Sequence, residues 1–292
     1  SGTRSYAQAR AMQAAGHHVT MLTSSAQLRD DEIPGGNGAC RRGRIGGIDC
    51  IVLDIPYDQS MGYAGRILSF LKFMMWCCWI VLTEKRPDII YATSTPLTVG
   101  VPALAGKLIR GVPYAFEVRD LWPDVPLEMG ILKPGLIAKT LKLAEHMIYR
   151  HARLWVPVNA DVARVMAAGV RPPKPMAIVP NACDTYLFDP SRDGEWFRKE
   201  HGLEEAILCV HTGAMGPVNG LDCVLDAAIA LRDDPRVRIG LIGGGSQKDR
   251  LAARVADEKI DNVFILDGMP KEQLADVLAT ADIGLMTVKA LP

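Results

Sequence analysis

Short apolar runs alternate along this chain with longer stretches whose apolar positions recur three and four apart, the two signatures of buried strands and covering helices. Residues 3–15 are good helix formers throughout and predict a helix; a buried-strand pattern, VTMLT, follows at 19–23. Further strands are expected at 50–55, 88–91, 114–118, 154–158 and 177–179. Helices are expected between them at 64–82, 97–109 (despite Pro102), 136–149 and 161–168. Residues 30–47, with Pro34-Gly35-Gly36-Asn37-Gly38 and Arg41-Arg42-Gly43-Arg44, read as a mobile surface loop. The rhythm breaks at Pro180-Asn181-Ala182-Cys183-Asp184 and Asp189-Pro190, as at a crossover between domains. A second series then predicts strands at 206–211, 237–242, 263–266 and 282–286, and helices at 223–231, 247–256 and 271–279.

Strands alternating with helices of about a dozen residues imply βαβ units on parallel sheets. The expected fold is therefore α/β, with two Rossmann-like domains at 1–183 and 184–292. A domain of this kind normally opens strand, glycine loop, helix. Ser1-Gly2-Thr3 and the helix after it supply the last two, so the first strand is expected to be missing and the second domain to be incomplete.

Composition narrows the class. The 292 residues are 49% hydrophobic and 23% charged, as in an ordered globular protein. Lysine plus arginine equals aspartate plus glutamate at 33 each, which argues against a nucleic-acid partner. The 7 cysteines form no C-x-x-C pair, pointing to a reducing, cytoplasmic setting. The histidines show no ligand spacing, so no metal site is expected; a G-x-S-x-G elbow is also absent.

The chemistry concentrates at loops that follow strands, where ligands of open α/β sheets sit. Gly2 opens a helix whose N-terminus favours an anion; the competing explanation is a bare tight turn. His211-Thr212-Gly213-Ala214-Met215-Gly216, leading to Asn219, and Leu241-Ile242-Gly243-Gly244-Gly245-Ser246 bring two more glycine turns into one domain, and Ser246 is placed to cap the next helix. The second turn lacks the G-x-G-x-x-G spacing and its ribose-binding acid, which disfavours a nicotinamide enzyme; no cofactor is expected. Glu117-Val118-Arg119-Asp120-Leu121-Trp122-Pro123-Asp124 is the densest polar cluster, and three charges at a strand end are costly unless paired or used. An arginine–carboxylate pair that pins the loop competes with a catalytic site there.

Residues 67–82, ILSFLKFMMWCCWIVL, are apolar nearly all round but at 16 residues too short to span a bilayer. With Arg66 and Lys72 alongside, 66–82 is expected to touch a membrane surface while its other side packs in the domain.

Taken together these segments resemble bacterial glycosyltransferase family 4, of GT-B fold. The resemblance runs through SGTRSYAQAR, AAGHHVTMLT, RPDIIYATSTPLTVG, PYAFEVRDLWPD, VPNACDTYLFDP, GAMGPVNGLDCVLDAA, LIGGGSQKDRL and ILDGMPKEQLADVLATADIGL, most of all in the subgroup that builds lipopolysaccharide O-antigen, capsule or exopolysaccharide. It implies a retaining, metal-independent transfer of a hexosyl or N-acetylhexosaminyl unit from a nucleotide-diphosphate sugar. The first domain would take a lipid-linked saccharide acceptor, the second the donor, on the inner face of the cell membrane. Gly2, with Thr3 and Arg4, and Gly213 with Asn219 match the diphosphate-facing loops; Gly243, Gly244, Gly245, Gly268 and Met269 match positions near the nucleotide. Asp120 matches an acid beside the reacting sugar or acceptor, with Arg119 and Glu117 as its catalytic neighbours. The sequence departs from the family where many members carry an arginine and a lysine for the phosphates: here stand Ala214 or Met215, and Asn219. Arg119 replaces a histidine common in the family, and its guanidinium stays charged, so it suits anchoring or charge stabilisation. The family's paired glutamates would fall beyond Pro292, so the 292-residue chain alone is expected to be inactive. A sugar-nucleotide epimerase of the same fold and a non-catalytic nucleotide-binding remnant are the alternatives.

Overall fold

A computed structural model of the chain describes residues 4–28, 33–35, 38–57, 61–94, 96–130 and 132–289. The chain divides into two compact units, Ser1–Asn181 and Ala182–Pro292.

The first unit opens with helix α1 (Arg4–Ala14) and strand β1 (Thr20–Ser24). Strands β2 (Cys40–Ile45) and β3 (Ile48–Leu53) pair antiparallel, and β3 pairs parallel with β1, giving the order β1-β3-β2. On β3, Ile48, Cys50 and Val52 face Ala9 of α1, while Ile51 and Leu53 face Cys77 and Ile80 of helix α2 (Tyr63–Thr83). Covering both faces explains why the strand from Cys50 to Leu53 reads as an unbroken apolar run. β2 corrects the expectation of a loop through 30–47. Its arginines are compatible with an edge strand because each meets an acid: Arg41 pairs with Asp54, Arg42 with Glu84 and Arg44 with Asp49. The part of that loop at 29–32 and 36–37 lies outside the described residues.

The second sheet of this unit is parallel, in the order β4 (Ile90–Thr93), β5 (Tyr114–Val118), β6 (Leu154–Pro157). Central β5 is buried at every position. Its Tyr114, Phe116 and Val118 join the core formed with helices α3 (Gly100–Arg110), α5 (Leu136–His151) and α6 (Ala160–Gly169); the short α4 (Asp124–Glu128) precedes α5. Pro102 sits in the first turn of α3, where its missing N–H costs no helical bond. A side chain at Gly100 would lie 2.7 Å from Ile148, so glycine lets α3 seat on α5. The strand expected at 177–179 reduces to one bridge, Met176 with Trp155, extended by the Val179 N–H donating to Pro157 O.

In the second unit, β7 (Ile207–Thr212), β8 (Val237–Ile242), β9 (Val263–Leu266) and β10 (Ile283–Gly284) form a parallel sheet in the order β10-β7-β8-β9. Helices α8 (Asp222–Ala230) and α9 (Lys248–Asp257) supply Leu225 and Leu251 to one core. Helices α7 (Glu195–His201) and α10 (Lys271–Thr280) supply Phe197 and Val277 to the other. β7 alternates between them, Cys209 to the first and Leu208 and Val210 to the second. The strand expected at 282–286 shrinks to two residues. Together, among the described residues, these elements form an α/β molecule with two parallel sheets and one mixed sheet.

Candidate functional site

The glycine turns of the second unit are brought together at the carboxyl ends of β7, β8 and β9. The parallel ladder does not stop at the strand ends. Gly213 N–H donates to Ile242 O at 2.9 Å, Met215 N–H to Gly244 O at 2.8 Å, and Gln247 N–H to Met215 O at 3.0 Å. This lateral approach requires glycine. A Cβ on Gly243 would lie 1.9 Å from Gly213 O, one on Gly245 2.5 Å from Met215 O, and both residues have φ near +150°. Gly244 has no such neighbour and is exposed. Gly268, exposed after β9, would place a Cβ 3.9 Å from Gly243 Cα, and Met269 roots the same turn against the second core.

Asn219 lies in the β7–α8 loop. Its side-chain carbonyl accepts from Gly216 N–H at 3.3 Å, and its backbone carbonyl accepts from the Thr287 hydroxyl at 2.6 Å. Helix α9 begins at Lys248 with Gln247 before it and no side-chain cap, which corrects the capping expected of Ser246. Two features here were missed from sequence. Lys248, at the first residue of α9, pairs with Asp267 beside Gly268 and puts a cation next to the turns. His211 is 5% exposed; its Nδ1 lies 3.2 Å from Leu285 O, and its Nε2 is buried with no partner. Counting ligand spacings could not find it, because its distinction is burial beneath the Gly213 turn.

In the first unit the expected catalytic trio separates into two kinds of residue. Arg119 and Asp120 are exposed at the end of β5, and the Arg119 N–H donates to Ser94 Oγ at 3.0 Å. Glu117 is fully buried. Arg4 donates to Glu117 Oε1 from Nε at 2.9 Å and Nη2 at 2.8 Å, and Gln8 Nε2 joins at 2.6 Å. Tyr91 OH donates to the same oxygen at 3.1 Å, and Thr93 Oγ1 donates to Oε2 at 2.6 Å. Burial pushes the carboxyl pKa up, but the bonds from Thr93, Arg4 and Gln8 outweigh it and hold the group below its ordinary value. Such a carboxylate is ionised and has no exposed surface to offer a substrate. It acts as an anchor, the pairing set against catalysis in the sequence reading.

Arg4 is likewise occupied within its own unit. Besides Glu117, its guanidinium donates to Val179 O and Pro180 O, both at 2.6 Å, and to Asn181 Oδ1 at 3.3 Å. One side chain thus ties the start of α1 to β5 and to the segment leaving the unit. Gly2 and Thr3 lie outside the described residues. Among the described residues, no three His, Cys, Asp or Glu side chains gather as a metal site.

Residues 1–182 match the model of a family described as a glycosyl transferase 4-like domain. The chain belongs to this glycosyltransferase 4-like family. No curated protein matches it. Among solved structures, HepE from Anabaena in complex with UDP-glucose is similar with TM-score 0.60 and 18% identity, over 84% of this chain. This family member spans 62% of the length of HepE. Sucrose-phosphate synthase from Thermosynechococcus elongatus aligns with TM-score 0.68 at 15% identity, over 97% of this chain and 69% of its own. An E. coli structure described as trehalose-6-phosphate bound with UDP-2-fluoro glucose gives TM-score 0.69 at 12% identity, over 99% and 76%. At these identities the likeness concerns the fold.

Proposed function

We propose that the protein is a glycosyltransferase that takes a sugar from a nucleotide-diphosphate sugar. The observation that carries this reading is the pair of interlocked glycine turns at the ends of β7 and β8, in a fold shared with HepE, which has been solved with UDP-glucose. In this reading Gly213 and Gly243 to Gly245 let the donor approach main chain closely, with Asn219, Gly268 and Met269 at its border. As the nucleoside diphosphate leaves, negative charge grows on its oxygens. Fixed N–H groups, the α9 N-terminus and the Lys248 ammonium are suited to stabilise that charge without a metal ion.

The finer reading is a retaining transfer to a lipid-linked saccharide in cell-surface polysaccharide synthesis, of the O-antigen or exopolysaccharide kind. The enzyme would work on the inner face of the membrane, which it touches through 66–82. Asp120, exposed at the end of β5, stands at the reacting sugar or acceptor, with Arg119 as charge support and Glu117 and Arg4 holding the loop from beneath. Calorimetric titration with UDP-, GDP- and ADP-sugars tests the donor, and transfer of labelled sugar to extracted membrane lipid by the natural full-length protein tests the acceptor. Asp120→Ala is expected to keep donor binding and cut transfer about 100-fold or more. Absence of binding to every nucleotide sugar would overturn the reading.

A further inference from the structure

We infer that α2, α3 and α5 form a docking layer on which the protein lies flat against a bilayer rich in anionic lipid. This rests on the membrane contact proposed above for 66–82 and names its lipid chemistry.

α2 is apolar on two faces. Inward, Phe73, Cys77 and Ile80 pack with β3. Outward, Leu68, Leu71, Met75 and Trp79 stand on successive turns at 53%, 41%, 66% and 64% exposure, where a helix covering a sheet ordinarily shows polar residues to water. The layer extends sideways. Gly106 of α3 lets Val81 of α2 and Ile90 close in, and Gly100 seats α3 on α5. Leu108 and Ile109 end α3 exposed, and Leu136 and Ile137 open α5 at 80% and 68% exposure.

Charge selects the partner. The whole chain is balanced, yet α2 and α3 contain no carboxylate. α5 contains one, Glu145, buried and paired with Lys142. Lys72, Lys107, Arg110 and Lys139 leave the layer basic. Apolar side chains beside unopposed lysines suit the boundary between acyl chains and anionic headgroups. A second copy of the chain fits worse, since a two-fold contact would set these cations against themselves.

Residues 64–83 are by length and composition alone long and apolar enough to cross a membrane, which corrects the reading of the 16-residue run 67–82 as too short. Crossing would strip Cys77, Ile80 and Val81 from their packing and break the 2.8 Å bond from Ser69 Oγ to Pro56 O. Lying flat keeps them all.

The test is co-sedimentation of the full chain with phosphatidylcholine vesicles, with and without phosphatidylglycerol, at low and high salt. Binding is expected about tenfold or more tighter with phosphatidylglycerol and weakened by salt, with a blue shift of tryptophan emission. Lys72→Glu with Lys139→Glu should remove the lipid preference, and Met75→Glu with Trp79→Glu the binding itself. These side chains are exposed, so circular dichroism should stay unchanged. No binding, equal binding to both vesicles, or a lipid-free dimer dissolved by Trp79→Glu would each overturn the inference. Nucleotide-sugar titration of the same samples separates the two readings: loss of donor binding with lipid preference retained counts against the transferase alone.

Discussion

Strand β5 in the first unit and strands β7 and β8 in the second end at equivalent places in a parallel sheet, but they are secured by opposite means. β5 ends in charge: a buried carboxylate receives bonds from four side chains, one of them an arginine that also holds the chain leaving the unit. β7 and β8 end in bare backbone, two turns meeting so closely that a methyl group does not fit between them. The first arrangement depends on every partner being present, because a buried charge left alone is expensive. The second depends on absence of side chains, and leaves the backbone of Gly244 and Gly268 exposed. A strand end built the first way supports a loop; in the transferase proposed above, one built the second way receives the donor.

Mutations can pull the two apart. The largest effect is expected from Glu117→Ala, which removes the carboxylate that four side chains share and takes from the Arg4 charge its counter-ion: a loss of about 4 kcal/mol in urea unfolding of the first unit. A loss below about 1 kcal/mol would show that the carboxylate anchors little. Gly243→Ala should cost the second unit about 3 kcal/mol from strain and overlap with Gly213 O, while Gly244→Ala, which meets nothing within 4 Å, should cost a few tenths. Equal effects at the two glycines would contradict the close approach.

Acid sharpens the contrast further. The Glu117 pKa is depressed in the folded state, so its contribution is complete above the ordinary carboxylate value of 4.5 and is lost as pH falls through the folded value beneath it. Glu117→Gln should therefore flatten the fall in stability below that pH, and Gly243→Ala should leave the slope as it was; pH-dependent urea midpoints measure both. Asn219→Ala should cost about 0.5–1 kcal/mol for one long bond to the Gly216 N–H, between the effects of the two glycine changes.

These two kinds of strand end were not equally legible in the sequence. Strands 114–118, 237–242 and 263–266 were readable to the residue, because mostly apolar runs, broken only by Glu117 and Arg238, lie between turns. The glycine turns were readable as turns, since a positive φ beside a neighbouring backbone excludes other residues; that they lock to each other was not. β2 was hidden because its outward positions are arginines whose acids stand far along the chain or on the next strand. α4 and α7 were too short to show a period. The carboxylate anchor was the least legible: Arg4 and Glu117 are 113 residues apart, and nothing local to either announces the other. Arg4 and Gln8, one helical turn apart on α1, reach the same carboxylate oxygen.

Met215 gives the second unit a mechanical property. Its side chain is wholly enclosed among Leu221, Leu225 and Leu251, while its own amide and carbonyl are bonded to Gly244 and Gln247. The two turns are thereby riveted into a single plate that cannot flex one side at a time. A molecule settling on that plate meets a surface already set in shape, so little freedom remains to be surrendered at the moment of capture.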